Sequence, residues 1–98
     1  MAAYVIGAID VHDPETYARY REGVLPIVEA HGGRFLVRGG TQFVLEGDWP
    51  GGRTVVIAFP DRPAAEAFYR SAAYQAVLPL RQAASTGRLI VVDGVAPT

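Results

Sequence analysis

The stretch from His31 to Trp49, HGGRFLVRGGTQFVLEGDW, decides how this chain is read. Two runs of alternating polar and apolar residues flank a glycine pair, which is how a β-hairpin is written in sequence. With Gly39, Gly40 and Thr41 as a three-residue loop, Arg38 faces Gln42, Leu36 faces Val44 and Arg34 faces Glu46. The other face is then Phe35, Val37, Phe43 and Leu45, wholly apolar. A two-residue loop at Gly39-Gly40 would split that set, because a slip of one residue turns every side chain over. The longer loop is therefore expected. It yields an extra hairpin strand and a sheet with one greasy face for the chain's own helices. The second, mixed face carries Arg38, Gln42 and Glu46.

Upstream, Tyr4 to Ile9 reads as a first strand. Asp13-Pro14 then supplies an N-cap and a proline at the first helical position, where its missing N–H costs nothing. Tyr17, Tyr20, Val24, Ile27 and Val28 recur at helical spacing and form one apolar stripe. Gly23 and Pro26 predict a kink or a restart within it, and Gly32 is a natural left-handed terminator. Downstream, Glu46 to Gly52 is rich in turn residues, and Arg53 to Phe59 is a β-branched strand. Asp61 caps a helix through Ala65, Phe68 and Tyr69. Ser71 caps a further helical piece with Tyr74, Val77, Leu78 and Leu80, interrupted by Pro79 and ended by Gly87. Leu89 to Val92 is the last strand, and Ala96-Pro97-Thr98 is a short tail.

Two segments echo each other. Val24-Leu25-Pro26-Ile27 precedes Gly33-Arg34-Phe35-Leu36-Val37, and Val77-Leu78-Pro79-Leu80 precedes Gly87-Arg88-Leu89-Ile90-Val91. Each copy is a helix feeding a strand, and each follows a strand and an Asp cap. This is the βαβ unit used twice, and it predicts a ferredoxin-like α+β fold, βαββαβ with an antiparallel sheet. Residues 1–98 are expected to form a single domain.

Asp-Pro-Glu-x-Tyr at Asp13 to Tyr17, Gly-Gly-Arg-Phe-Leu-Val-Arg-Gly-Gly at Gly32 to Gly40, Glu-Gly-Asp-Trp at Glu46 to Trp49, and Phe59-Pro60 carry a family likeness over nearly the whole chain. Together they resemble the small bacterial proteins known as domain of unknown function thirteen-thirty, of the dimeric α+β barrel superfamily. The resemblance implies two ferredoxin-like sheets packed face to face in a homodimer. It also points to relatives among cofactor-free monooxygenases, muconolactone isomerases and haem-degrading enzymes. Activity does not follow, because one fold hosts many chemistries.

Composition sets further bounds. The chain has 98 residues, half of them hydrophobic, with a formal net charge of −1. A domain this small cannot bury so much apolar surface within one copy, which predicts self-association. The absence of a basic run argues against nucleic acid. With no cysteine, disulfides, thiolate nucleophiles and Cys-ligated zinc are excluded. MAAYVIGAID reads as a strand, not a signal peptide, and no apolar run approaches the ~20 residues that span a bilayer. The expected location is the cytoplasm, with no membrane partner.

Glu46 and Arg38 are the first candidates for chemistry. On a partly apolar face, burial raises a carboxylate's pKa while a neighbouring guanidinium lowers it, so the pair can serve as a base or an anion clamp. The competing reading is a structural ion pair, such as Arg34 with Glu46. His31, at a helix C-terminus, is a candidate acid or base and equally a helix-end cap. Trp49 in its Gly/Pro-rich loop suits a pocket wall or an interface. With Gln42, Tyr17 and Tyr69 it completes the candidate ligand-binding set, fit for a small apolar, oxygenated ring compound. The spacing of His12 and His31 makes no metal site. No dinucleotide, P-loop or nucleophile-elbow motif is present, and no cofactor is expected. Two functions of different class remain: a cofactor-independent enzyme or binder, and a non-catalytic dimeric module.

Overall fold

The computed structural model describes residues 1–96. Pro97 and Thr98 of the expected tail lie outside them. Along the chain run β1 (Ala3–Val11), α1 (Pro14–Ala30), β2 (Arg34–Arg38), β3 (Arg53–Phe59), α2 (Arg62–Arg70), α3 (Ala72–Ala84) and β4 (Ser85–Asp93). The four strands form one antiparallel sheet in the order β2-β3-β1-β4. This is the expected ferredoxin-like α+β arrangement, with the second helix divided at Ser71.

The helix starts follow the expected chemistry. Asp13 Oδ1 accepts the Thr16 N–H at 3.2 Å, Asp61 Oδ1 that of Ala64 at 2.9 Å, and Ser71 Oγ that of Tyr74 at 3.1 Å. Each fills one of the donors that a helix N-terminus leaves open. Helix α1 does not restart at Pro26, and α3 does not break at Pro79. Both prolines lie on exposed faces, where the freed carbonyls are open to solvent. Gly23 has a packing reason instead: a Cβ there would stand 3.1 Å from Val77 Cγ1, so α1 and α3 cross closely at this point. Gly87 does not end α3; it lies within β4, which begins directly after the helix.

Alternation along the strands sorts the sheet into two faces. One presents Val5 and Ile9 of β1 with Val55, Ile57 and Phe59 of β3 to the helices. These pack on Tyr17, Tyr20, Val24, Val28, Phe68, Tyr74 and Leu78. Aromatic rings join the layers: Phe68 lies 5.2 Å from Phe59 and 4.7 Å from Tyr74, centroid to centroid. The register puts Tyr4, Ile6 and Ala8 of β1 on the opposite face, beside Val56, Ala58, Ile90 and Val92. That face carries no helix, and Ile90 is 60 % exposed.

The opening hairpin is the main correction. β2 pairs with β3, not with Gln42–Glu46, and residues 39–52 form a long connection without an extra strand. The β-branched run Val55-Val56-Ile57 outcompetes the short Phe43-Val44-Leu45 run as the partner of β2. Phe43 and Leu45 are therefore 82 % and 93 % exposed instead of facing the helices. The register is also not the expected one. A bulge between Phe35 and Val37 places Val37 opposite Val56 on the open face. It turns Arg38, opposite the buried Val55, toward the helix side.

Candidate functional site

The site residues expected from sequence fall into four places. Gln42, Glu46 and Trp49 come together, with Phe43 and Leu45, around a cavity of about 440 Å³ between the connecting loop and the open face at Val37 and Thr54. Gln42 Oε1 accepts the Thr54 hydroxyl and so ties this loop to β3. Arg38 and Tyr17 meet elsewhere, in the groove between α1 and the β2–β3 edge. The expected pairings of Glu46 with Arg38 or Arg34 do not form: no ion pair within 4.0 Å joins them among the described residues. The bulge sends Arg38 to one side of the sheet and the loop leaves Glu46 on the other.

His31 stands apart from these cavities. It caps the end of α1, its Nδ1 2.9 Å from the Ile27 carbonyl oxygen, which makes Nδ1 the donor. Its ring meets Phe68 edge-on at 6.1 Å. Tyr69 lies in the fourth place, on the wall of a cavity of about 530 Å³ bounded by α2, α3 and β4.

This last cavity holds a residue that the sequence reading passed over. Val5, Ala65, Leu89 and Val91 supply its apolar wall, Glu66, Tyr69, Arg70 and Gln82 its polar part, and Arg81 of α3 lies between them. Arg81 is only 6 % exposed, and its Nε has no hydrogen-bond partner. Among the described residues no carboxylate lies within ion-pair distance of it. Gly87 makes room for it, since a Cβ there would stand 2.7 Å from Arg81 Nη1.

The electrostatics around Arg81 come from tyrosines. Burial works against its charge, but the hydroxyls of Tyr74, Tyr20 and Tyr69 outweigh it and move the guanidinium's pKa upward. Arg81 is therefore a cation at every physiological pH. The Tyr74 hydroxyl is shared with Tyr20 at 2.9 Å in the core. Burial first, and Tyr74 second, push the Tyr20 pKa far above the ordinary tyrosine value, so its proton stays in place. A buried cation without a counter-ion is costly unless something negative joins it. Arg81 thus offers a cation to this cavity, with the Tyr69 side chain beside it on the wall.

Two buried arginines, in separate cavities, left a signal in the sequence. Arg81 follows Tyr74 and Leu78 at spacings of four and three on the buried stripe of α3, so a charge occupies a core position. Arg53 likewise continues the inward alternation of Val55, Ile57 and Phe59.

Fold and site together define the class as a ferredoxin-like α+β protein with a ligand-sized cavity between sheet and helices. The chain belongs to the family described as Domain of unknown function (DUF1330), whose model matches residues 2–95. It is similar in structure to a protein of unknown function from Rhodopseudomonas palustris, at TM-score 0.79 and 22% identity, covering 98% of this chain and 84% of that one. A dimeric ferredoxin-like protein of unknown function from Jannaschia sp. CCS1 is also similar, at TM-score 0.67 and 11% identity over 96% and 100% of the two chains. SnoaB, a cofactor-independent oxygenase from Streptomyces nogalater, matches at TM-score 0.64 and 13% identity over 98% and 95%. No curated protein sequence matches this chain. Among the described residues no helix is long and apolar enough to cross a membrane.

Proposed function

We propose that this chain forms a homodimer through the open face of its sheet. In each protomer the cavity beside Arg81 binds a small, largely apolar ring compound bearing an anionic oxygen. The observation that carries the ligand reading is Arg81 itself, buried to 6 % exposure on the wall of a 530 Å³ cavity, with no carboxylate within ion-pair distance among the described residues, although Glu66 lines the same cavity. A guanidinium fork matches a carboxylate, phenolate or enolate oxygen, and low surrounding polarity strengthens the attraction. A phenol or enol held there is more acidic than in water, which favours the electron-rich anion that reacts with dioxygen. SnoaB, named as a cofactor-independent oxygenase, shares the fold and makes this the first chemistry to test.

The dimer reading rests on the uncovered apolar face of Tyr4, Ile6, Val56, Ile90 and Val92. A dimeric ferredoxin-like protein among the structural neighbours supports it. The loop residues Phe43, Leu45 and Trp49 extend the same apolar surface and join the interface in this reading.

The test is a calorimetric titration with salicylate and with simple phenols. The parent binds them, Arg81→Met does not, and Glu46→Gln binds as the parent does. Loss of binding in Glu46→Gln alone would favour a second reading, in which Glu46, Gln42 and Trp49 hold the ligand in the loop cavity that they line.

A further inference from the structure

A second group of arginines lies in the groove between α1 and the β2–β3 edge, where Arg21, Arg38 and Arg53 converge. Arg53 reaches over the Tyr17 ring, 5.3 Å from its centroid, and donates to the Arg38 carbonyl at 3.3 Å. Its Nε is buried without a partner. Arg38 lies 4.3 Å above the Phe35 ring and donates from Nη2 to the Arg21 carbonyl at 2.7 Å. Among the described residues no carboxylate stands within ion-pair distance of any of the three.

The backbone enforces this gathering of like charge. The β2 bulge turns Arg38 inward. Gly39, at φ +74°, takes the chain past Arg53, where any Cβ would collide with the guanidinium. Burial, then the charges of Arg21 and Arg53, hold the Arg38 pKa below the usual arginine value. Like charges held together without an acid are relieved by an anion from solution.

We propose that Arg21, Arg38 and Arg53 form a receptor for a phosphate-type oxyanion, separate from the Arg81 cavity and independent of its function. Three guanidiniums carry more charge and more N–H donors than one carboxylate can use, whereas a phosphate dianion accepts several forks at once. The enclosed space is about 20 Å³, room for a water-sized group. The anion therefore seats at the mouth of the groove, and the rest of a phosphorylated molecule extends into solvent.

The experiment is a calorimetric titration of the full chain with inorganic phosphate in low-salt buffer, beside acetate and chloride at matched ionic strength. Phosphate saturates one site per chain, and acetate and chloride bind at least about tenfold more weakly. Arg53→Gln removes the site. Arg21→Gln weakens it about tenfold; Arg21 is exposed, so this variant keeps its fold and decides the matter if Arg53→Gln unfolds. A parent that shows no saturable phosphate binding overturns the proposal. So does an Arg21→Gln protein that binds phosphate as the parent does.

Discussion

Arg81→Met separates a ligand counter-ion from a structural one. Methionine has similar reach and no charge, so it occupies the place beside Tyr74 and Gly87 without a cation to desolvate. An unpaired ion taken out of water costs several kcal/mol even after relaxation. The tyrosine hydroxyl facing Arg81 returns part of this, as hydrogen bonds to charged groups contribute about 1.5–3 kcal/mol. The balance favours the variant by about 1–3 kcal/mol, within the range for replacing buried charges by apolar side chains. In a domain of this size each kcal/mol moves Tm by about 4–8 °C. The ligand-free variant should therefore melt about 4 °C or more above the parent, with an unchanged urea m-value. Circular dichroism of both proteins at the same concentration reads this. A fall in Tm of similar size would mean that the guanidinium holds the helices and sheet together, and the reasoning from its isolation would be refuted.

Three other outcomes follow from the geometry. Ile90→Glu puts a carboxylate on the open sheet face at a position already 60 % exposed in the single chain, so the fold survives while light scattering falls from dimer to monomer mass. Asp13, whose pKa the Thr16 hydroxyl and then the Thr16 N–H lower, contributes stability above the ordinary carboxylate value and loses it as pH falls through its folded value. Asp13→Asn should flatten the acid limb of the stability profile below about pH 4. Tyr20 keeps its proton in the fold where the unfolded chain releases it, so its contribution is full below about pH 10 and declines at higher pH. Spectrophotometric titration should show this tyrosine ionising only with unfolding, and Tyr20→Phe should remove that delayed step.

Caps, helix stripes and the β3 run were legible because they are local: Asp13, Asp61 and Ser71 each satisfy an N–H three residues ahead. The repeated βαβ order then sufficed for the topology. The His31–Trp49 stretch was misread because the partner of β2 is chosen by competition between distant segments, and alternation within one segment does not reveal it. A single bulged residue at Leu36 reversed the side on which Arg38 lies. Gln42, Glu46 and Trp49 still meet, since they share one loop, whereas Tyr17 and Tyr69 end in different cavities. Arg81 was visible as a charge on an apolar stripe. Its lack of an ion-pair partner among the described residues was not, because that depends on elements far apart in the chain.

The most direct test of the account is a crystal of the protein soaked with salicylate. The account predicts density in the cavity between α2, α3 and β4, with a ligand oxygen within hydrogen-bonding distance of the Arg81 guanidinium. Density in the loop cavity against Glu46 and Trp49, with the Arg81 cavity left to water, would contradict it.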